Sequence, residues 1–106
     1  MGDAPDKPDP KGFINLSKKL IGDKLGESSI PIAYVGDTIA DIHTVINARK
    51  KIPSQKFISI GIAPPHLHLN SRSKERNSYE TNLRDAGADL ILNSIYDLKD
   101  INLELF

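Results

Sequence analysis

The sequence predicts a doubly wound α/β domain with three parallel strands. Helical and strand patterns alternate along the chain. Three apolar runs, residues 32–35, 57–62 and 88–92, are short and nearly continuous, as expected of strands covered on both faces of a parallel sheet. The stretches between them are long enough for the right-handed crossovers that return a chain to a parallel neighbour.

Residues 1–9 are rich in Pro, Asp and Gly and are expected to form an extended lead-in. Asp9 and Pro10 read as a helix start, with Asp as N-cap and Pro at the first helical position. That helix is expected to reach about Leu25, with Phe13, Leu16, Leu20 and Ile21 on its apolar face and Gly26 as C-cap. The first strand, 32–35, is ended sharply by Gly36-Asp37-Thr38. A second helix follows to about Lys51, with Ile39, Ile42, Val45 and Ile46 on one stripe, and Pro53 marks its stop. After the second strand, 57–62, a loop over 63–73 contains Pro64-Pro65. A third helix carries Tyr79, Leu83 and Ala86 and is capped by Gly87. The third strand, 88–92, and a closing helix over 95–105 complete the order αβαβαβα. No internal repeat or interdomain linker interrupts it, so a single domain is expected.

Composition narrows the functional classes. The 106 residues are 39% hydrophobic and 26% charged, ordinary values for a globular chain. Lys and Arg balance Asp and Glu at 14 each, so no net field favours nucleic acid or an anionic membrane. With no cysteine, disulfides and thiolate metal sites are excluded. The polar, acidic start Met-Gly-Asp-Ala-Pro-Asp is unlike a signal peptide, and no apolar run approaches the ~20 residues of a membrane span. A cytoplasmic protein is the expectation. Neither a Gly-rich nucleotide loop nor a Gly-x-Ser-x-Gly elbow is present.

In open α/β sheets, ligands bind beyond the carboxyl ends of the strands. There the first strand runs into Gly36-Asp37-Thr38-Ile39-Ala40-Asp41. Two carboxylates four apart at a strand tip suit Mg²⁺, which takes one or two carboxylates plus phosphate oxygens and water. The same residues also read as a capping box, with Thr38 as N-cap and Asp41 as its acidic third residue. Lys7 lies just before the first helix. A helix N-terminus attracts anions and a lysine adds a point charge for phosphate, although a solvated lysine beside a Pro-rich start is the plainer reading.

Lys7-Pro8-Asp9-Pro10 opening a helix, then an apolar strand ending in Gly-Asp-x-x-x-Asp (36–41), resembles the third and fourth sequence motifs of the haloacid-dehalogenase-like (HAD) phosphatases. Gly87 to Leu92 with a short helix after it is similar to the usual end of those proteins. The likeness covers the chain from Lys7 onward and implies a three-layer Rossmann-like, HAD-like partial domain. It implies Mg²⁺-dependent hydrolysis of a phosphate monoester, with a small phosphorylated metabolite as substrate. In such enzymes an aspartate attacks phosphorus to form an aspartyl phosphate that water then hydrolyses. By this resemblance Lys7 is the catalytic, phosphate-binding lysine, Asp37 the Mg²⁺ ligand, and Asp41 the second acid, ligating directly or through water.

The sequence departs from that family at the nucleophile. The family's Asp-x-Asp is absent, since no two aspartates stand two apart, and only six residues precede Lys7. The nucleophile strand and the substrate-selecting cap are therefore expected to be missing, and the isolated chain to be inactive. The strand at 32–35 would then be an open edge, which invites pairing. A homo-oligomer, or a complementing N-terminal half docked along 32–35, is the expected consequence. The rival readings are a non-catalytic scaffold, one half of a split enzyme, and a flavodoxin-like binding domain with no use for Lys7.

Other polar residues carry weaker signals. His66 and His68 stand two apart in a Pro-rich loop without an evident third ligand, and His43 reads as a helix surface residue. Arg72, Lys74 and Arg76 are mixed with Glu75 and Glu80, as on a solvated helix start rather than a nucleic-acid surface.

Overall fold

A computed structural model describes residues 7–26 and 30–102. Its regular elements are helix α1 (Lys11–Ile21), strand β1 (Ile32–Gly36), helix α2 (Ile39–Lys51), strand β2 (Phe57–Ile62), helix α3 (Ser73–Asp85) and strand β3 (Leu90–Leu92). Short 3-10 turns occupy Gly22–Lys24, Pro65–His68, Asn70–Arg72 and Ile95–Asp100. The strands form one sheet in the order β1-β2-β3, and both pairings are parallel. Central β2 is the most buried strand, in keeping with its run Phe-Ile-Ser-Ile-Gly-Ile.

Pleating divides the sheet residues between two faces. Ile32, Tyr34 and Gly36 of β1 lie level with Phe57, Ser59 and Gly61 of β2. Against this face pack α1 and α2, giving a core of Phe13, Ile32, Val45, Ala48 and Phe57. Helix α3 covers the same face, because a methyl group on Gly61 would lie 3.2 Å from Leu83 Cδ1. The opposite face holds Ile58, Ile60 and Leu92, and Leu98 and Ile101 from the C-terminal segment pack onto it. The doubly wound expectation put helices on both faces. Within a sheet of order β1-β2-β3 the winding never reverses, so right-handed crossovers keep the helices on one side. Among the described residues the second face is covered by a 3-10 turn and its flank.

The boundaries differ from the sequence reading where tertiary packing intervenes. Helix α1 ends at Ile21, because Gly22 turns to φ 56° and donates its N–H to Lys18 O. Gly26 is not the cap; its N–H donates to Gln55 Oε1 at 2.8 Å. Phe13 and Ser17 form the buried face of α1, whereas Leu16 and Leu20 are 55% and 70% exposed. Docking of Phe13 against Tyr34 and Phe57, both at 5.1 Å between ring centroids, sets that rotation. Ser17 then falls one turn along beneath the sheet, and its hydroxyl donates to Phe13 O at 2.9 Å. On α2, Ile42 and Val45 are fully buried while Ile39 remains 45% exposed.

Gly87 closes α3 as its position predicts, with φ 118° and the Ala88 N–H returning to Leu83 O at 3.2 Å. Strand β3 is shorter than expected. Asp89 sits just before it and pairs with Ser59 by main chain and side chain, accepting from Ser59 N and donating from its own N–H, both at 2.8 Å. The closing element is a six-residue 3-10 turn, Ile95–Asp100, capped by Ser94. The expected continuation over 103–105 lies outside the described residues, as does the lead-in over 1–6.

Candidate functional site

The tip of β1 is organised around Asp41. Thr38 is in extended conformation and caps α2: its hydroxyl oxygen accepts from the Asp41 N–H at 3.1 Å. Asp41 Oδ2 in return accepts from the Thr38 N–H at 3.1 Å and the Thr38 hydroxyl at 2.8 Å. The capping box anticipated from Thr-x-x-Asp is therefore formed.

Capping accounts for only one of the two Asp41 oxygens. Oδ1 accepts from Lys7 Nζ at 2.6 Å and from the Tyr34 hydroxyl at 2.9 Å. Lys7 arrives from 34 positions upstream. Two contacts fix the segment that carries it. Asn47 Nδ2 donates to Pro8 O at 2.9 Å, and Asp9 Oδ1 accepts from the Lys11 N–H at 2.9 Å, although the N-cap of α1 is Pro10, one residue later than the sequence reading placed it. Tyr34 is aimed by packing, since the Phe13 ring meets it edge-on with planes 80° apart.

Asp41 is only 2% exposed. Burial opposes its charge, but the hydrogen bonds from Lys7, Thr38 and Tyr34 outweigh that penalty and hold its carboxyl below the usual aspartate value. The same hydrogen bond raises the Lys7 ammonium above its ordinary value, opposed by partial desolvation. Burial, then the bond to Asp41, pushes the Tyr34 phenol up. Gly36 makes room for the arrangement. A Cβ there would stand 2.3 Å from Asp41 Cβ and 2.7 Å from Oδ2, inside hard contact.

Asp37 differs from Asp41. Its backbone carbonyl accepts from the Tyr79 hydroxyl, so α3 clamps the strand tip. Burial, then the nearby Asp37 and Asp41 charges, raise the Tyr79 phenol. Among the described residues the Asp37 carboxylate makes no hydrogen bond, and Asp37 is one of the residues lining a cavity beyond the ends of β1 and β2. The Lys7 side chain is 48% exposed and has N–H donors beyond the one given to Asp41.

All three residues singled out by the sequence, Lys7, Asp37 and Asp41, thus meet at the carboxyl end of β1. Tyr34 and Tyr79 were missed as site residues. The only sequence sign of Tyr34 was a hydroxyl inside an otherwise apolar strand, and Tyr79 read simply as part of an apolar stripe.

The donor set suits Mg²⁺ in a restricted way. Among the described residues the Asp37 carboxylate has no hydrogen-bond partner, while both Asp41 oxygens already accept two hydrogen bonds each. Among the described residues no group of three or more His, Cys, Asp or Glu is placed to hold a metal. An ion here would be held by Asp37, with water and phosphate oxygens as its other ligands, which is how Mg²⁺ is commonly bound.

The remaining polar residues lie apart from this centre. His43 and His66 are exposed, and His68 Nε2 lies 2.7 Å from Ala63 O, to which it donates. Arg72 pairs with Glu75 at 2.8 Å and Arg76 with Glu80 at 3.0 Å. No helix among the described residues is long and apolar enough to cross a membrane. Comparison with protein-family models, with curated proteins and with solved structures gave no match.

Proposed function

We propose that this chain is the C-terminal, phosphate-positioning part of a HAD-like, Mg²⁺-dependent phosphatase acting on a small phosphorylated metabolite. One observation carries the reading: Lys7 is brought across 34 residues onto Asp41, near Asp37, whose carboxylate makes no hydrogen bond among the described residues. A capping box needs neither a lysine nor a tyrosine on its acid, so the second half of the Asp41 network calls for another explanation. Positioning a cation where a phosphate would sit supplies one.

In this account Asp41 is a positioning residue. It fixes the Lys7 ammonium through Oδ1 and the β1–α2 turn through Oδ2, leaving the other Lys7 donors for phosphate oxygens. Asp37 would hold Mg²⁺, whose chemistry is to offset charge on the phosphate. Such electrostatic preorganisation is a large share of phosphoryl-transfer catalysis. The nucleophile is not among these 106 residues, which contain no Asp-x-Asp. Strand β1 lies at the sheet edge, where an aspartate-bearing strand from an N-terminal half would pair.

The non-catalytic reading also has a specific support, because every acceptor site of Asp41 is already occupied within the chain. A Mg²⁺ titration followed by amide NMR separates the two. The proposal expects saturable shifts at residues 36–38 that Asp37→Asn abolishes. Equal shifts in wild type and Asp37→Asn would remove Asp37 from the metal site.

A further inference from the structure

Beside Asp37 lies a cavity of about 370 Å³, whose walls are Ile62, Ala63, Pro64, Pro65 and Ile95. That volume falls at the small end of the roughly 300–1,000 Å³ typical of small-molecule sites. Its remaining lining groups are Asp37, His68 and Ser94. Two of these three are engaged with the protein: His68 Nε2 donates to Ala63 O at 2.7 Å, and Ser94 Oγ accepts from the Tyr96 N–H at 3.3 Å. Among the described residues no Lys, Arg, Asn or Gln lines the cavity. A polyhydroxylated or carboxylated group placed there would give up its bonds to water for few replacements.

We infer that this cavity binds the apolar part of a substrate, a compact aryl or alkyl group esterified to phosphate, with the phosphate directed to Asp37. The inference rests on the phosphatase reading for the phosphate but not for the apolar group. Asp37 belongs both to the cavity wall and to the β1 tip, so a group seated on Ile62, Pro65 and Ile95 places its phosphate end beside Lys7 and Asp41. Substrate choice then comes from the β2–α3 loop and the turn after β3 within this chain. The flat Pro64-Pro65 wall and the branched side chains of Ile62 and Ile95 suit a ring.

The test is an amide NMR titration of the 106-residue chain with p-cresol, in the absence of Mg²⁺ and phosphate, with glycerol as the polar counterpart. Saturable p-cresol shifts are expected at residues 62, 63, 68, 94 and 95, with no glycerol shifts there. Ile95→Glu should weaken p-cresol binding about tenfold. Ile95 is 50% exposed, so that change is compatible with folding. Shifts scattered over the surface, equal shifts with glycerol, or p-cresol binding unaltered by Ile95→Glu would overturn the inference. Loss of the p-cresol site overturns the cavity assignment alone, whereas failure of Mg²⁺-dependent phosphate binding overturns the phosphatase reading alone.

Discussion

Lys7 Nζ and Asp41 Oδ1 lie 2.6 Å apart, with Asp41 almost fully buried and the Lys7 side chain about half exposed. That asymmetry makes the two ends unequal. Asp41→Asn turns an amide N–H₂ toward either the Thr38 donors or the Lys7 and Tyr34 donors, whereas Lys7→Met still leaves Asp41 the bonds from Thr38 and Tyr34. Asp41→Asn is expected to lower stability by about 2 kcal/mol and Lys7→Met by about 1 kcal/mol. Urea unfolding of both variants reads this, and a larger loss for Lys7→Met would invert the assignment.

The acid limb of stability follows from the same group. Asp41 titrates below its ordinary value when folded, so its contribution is complete above that value and is lost as the pH falls through the folded one. The stability gap between wild type and Asp41→Asn is expected to be constant around neutral pH and to narrow below about 3.8. Lys7 acts at the other end. Its raised value means a contribution present below about 10.5 and lost as the pH rises through the folded value. Unfolding curves across pH check both signs.

Gly36 tests the packing of the strand tip without touching a charge. Gly36→Ala would press a methyl into Asp41 Cβ at 2.3 Å. Overpacking of this kind costs about 1–3 kcal/mol. The displaced Asp41 side chain should also loosen the Thr38 cap, seen as faster hydrogen exchange at residues 38–42. Unchanged exchange would mean that the turn relaxes without moving Asp41.

The 106-residue chain alone is expected to give no turnover of p-nitrophenyl phosphate with Mg²⁺. Without an Asp-x-Asp, no aspartate can form the phosphoenzyme in the manner of the family it resembles. Activity that survives repurification and scales with the chain would place a nucleophile within these residues.

Much of the architecture was legible because its signals are local. Continuous apolar runs marked three strands, and Thr38-x-x-Asp41 and Gly87 marked helix ends by their own backbone chemistry. What depended on docking was not legible. The buried face of α1 turns on where Phe13 meets Tyr34 and Phe57, which left Leu16 and Leu20 outside. Placing helices on both faces presupposed a reversal of strand order that three sequential strands do not make. In the site, Lys7, Asp37 and Asp41 were singled out by their places at a helix start and a strand tip together with the family resemblance, but the bonds from Lys7 and Tyr34 to one oxygen exist only once α1 and β1 are packed together.

The most direct test of the central claim is a titration of the chain with inorganic phosphate, with and without Mg²⁺, followed by amide NMR in wild type, Lys7→Met and Asp37→Asn. The account predicts Mg²⁺-dependent phosphate shifts centred on residues 36–41, weakened in Lys7→Met and lost in Asp37→Asn. Phosphate shifts that are absent, independent of Mg²⁺, or the same in all three proteins would contradict it.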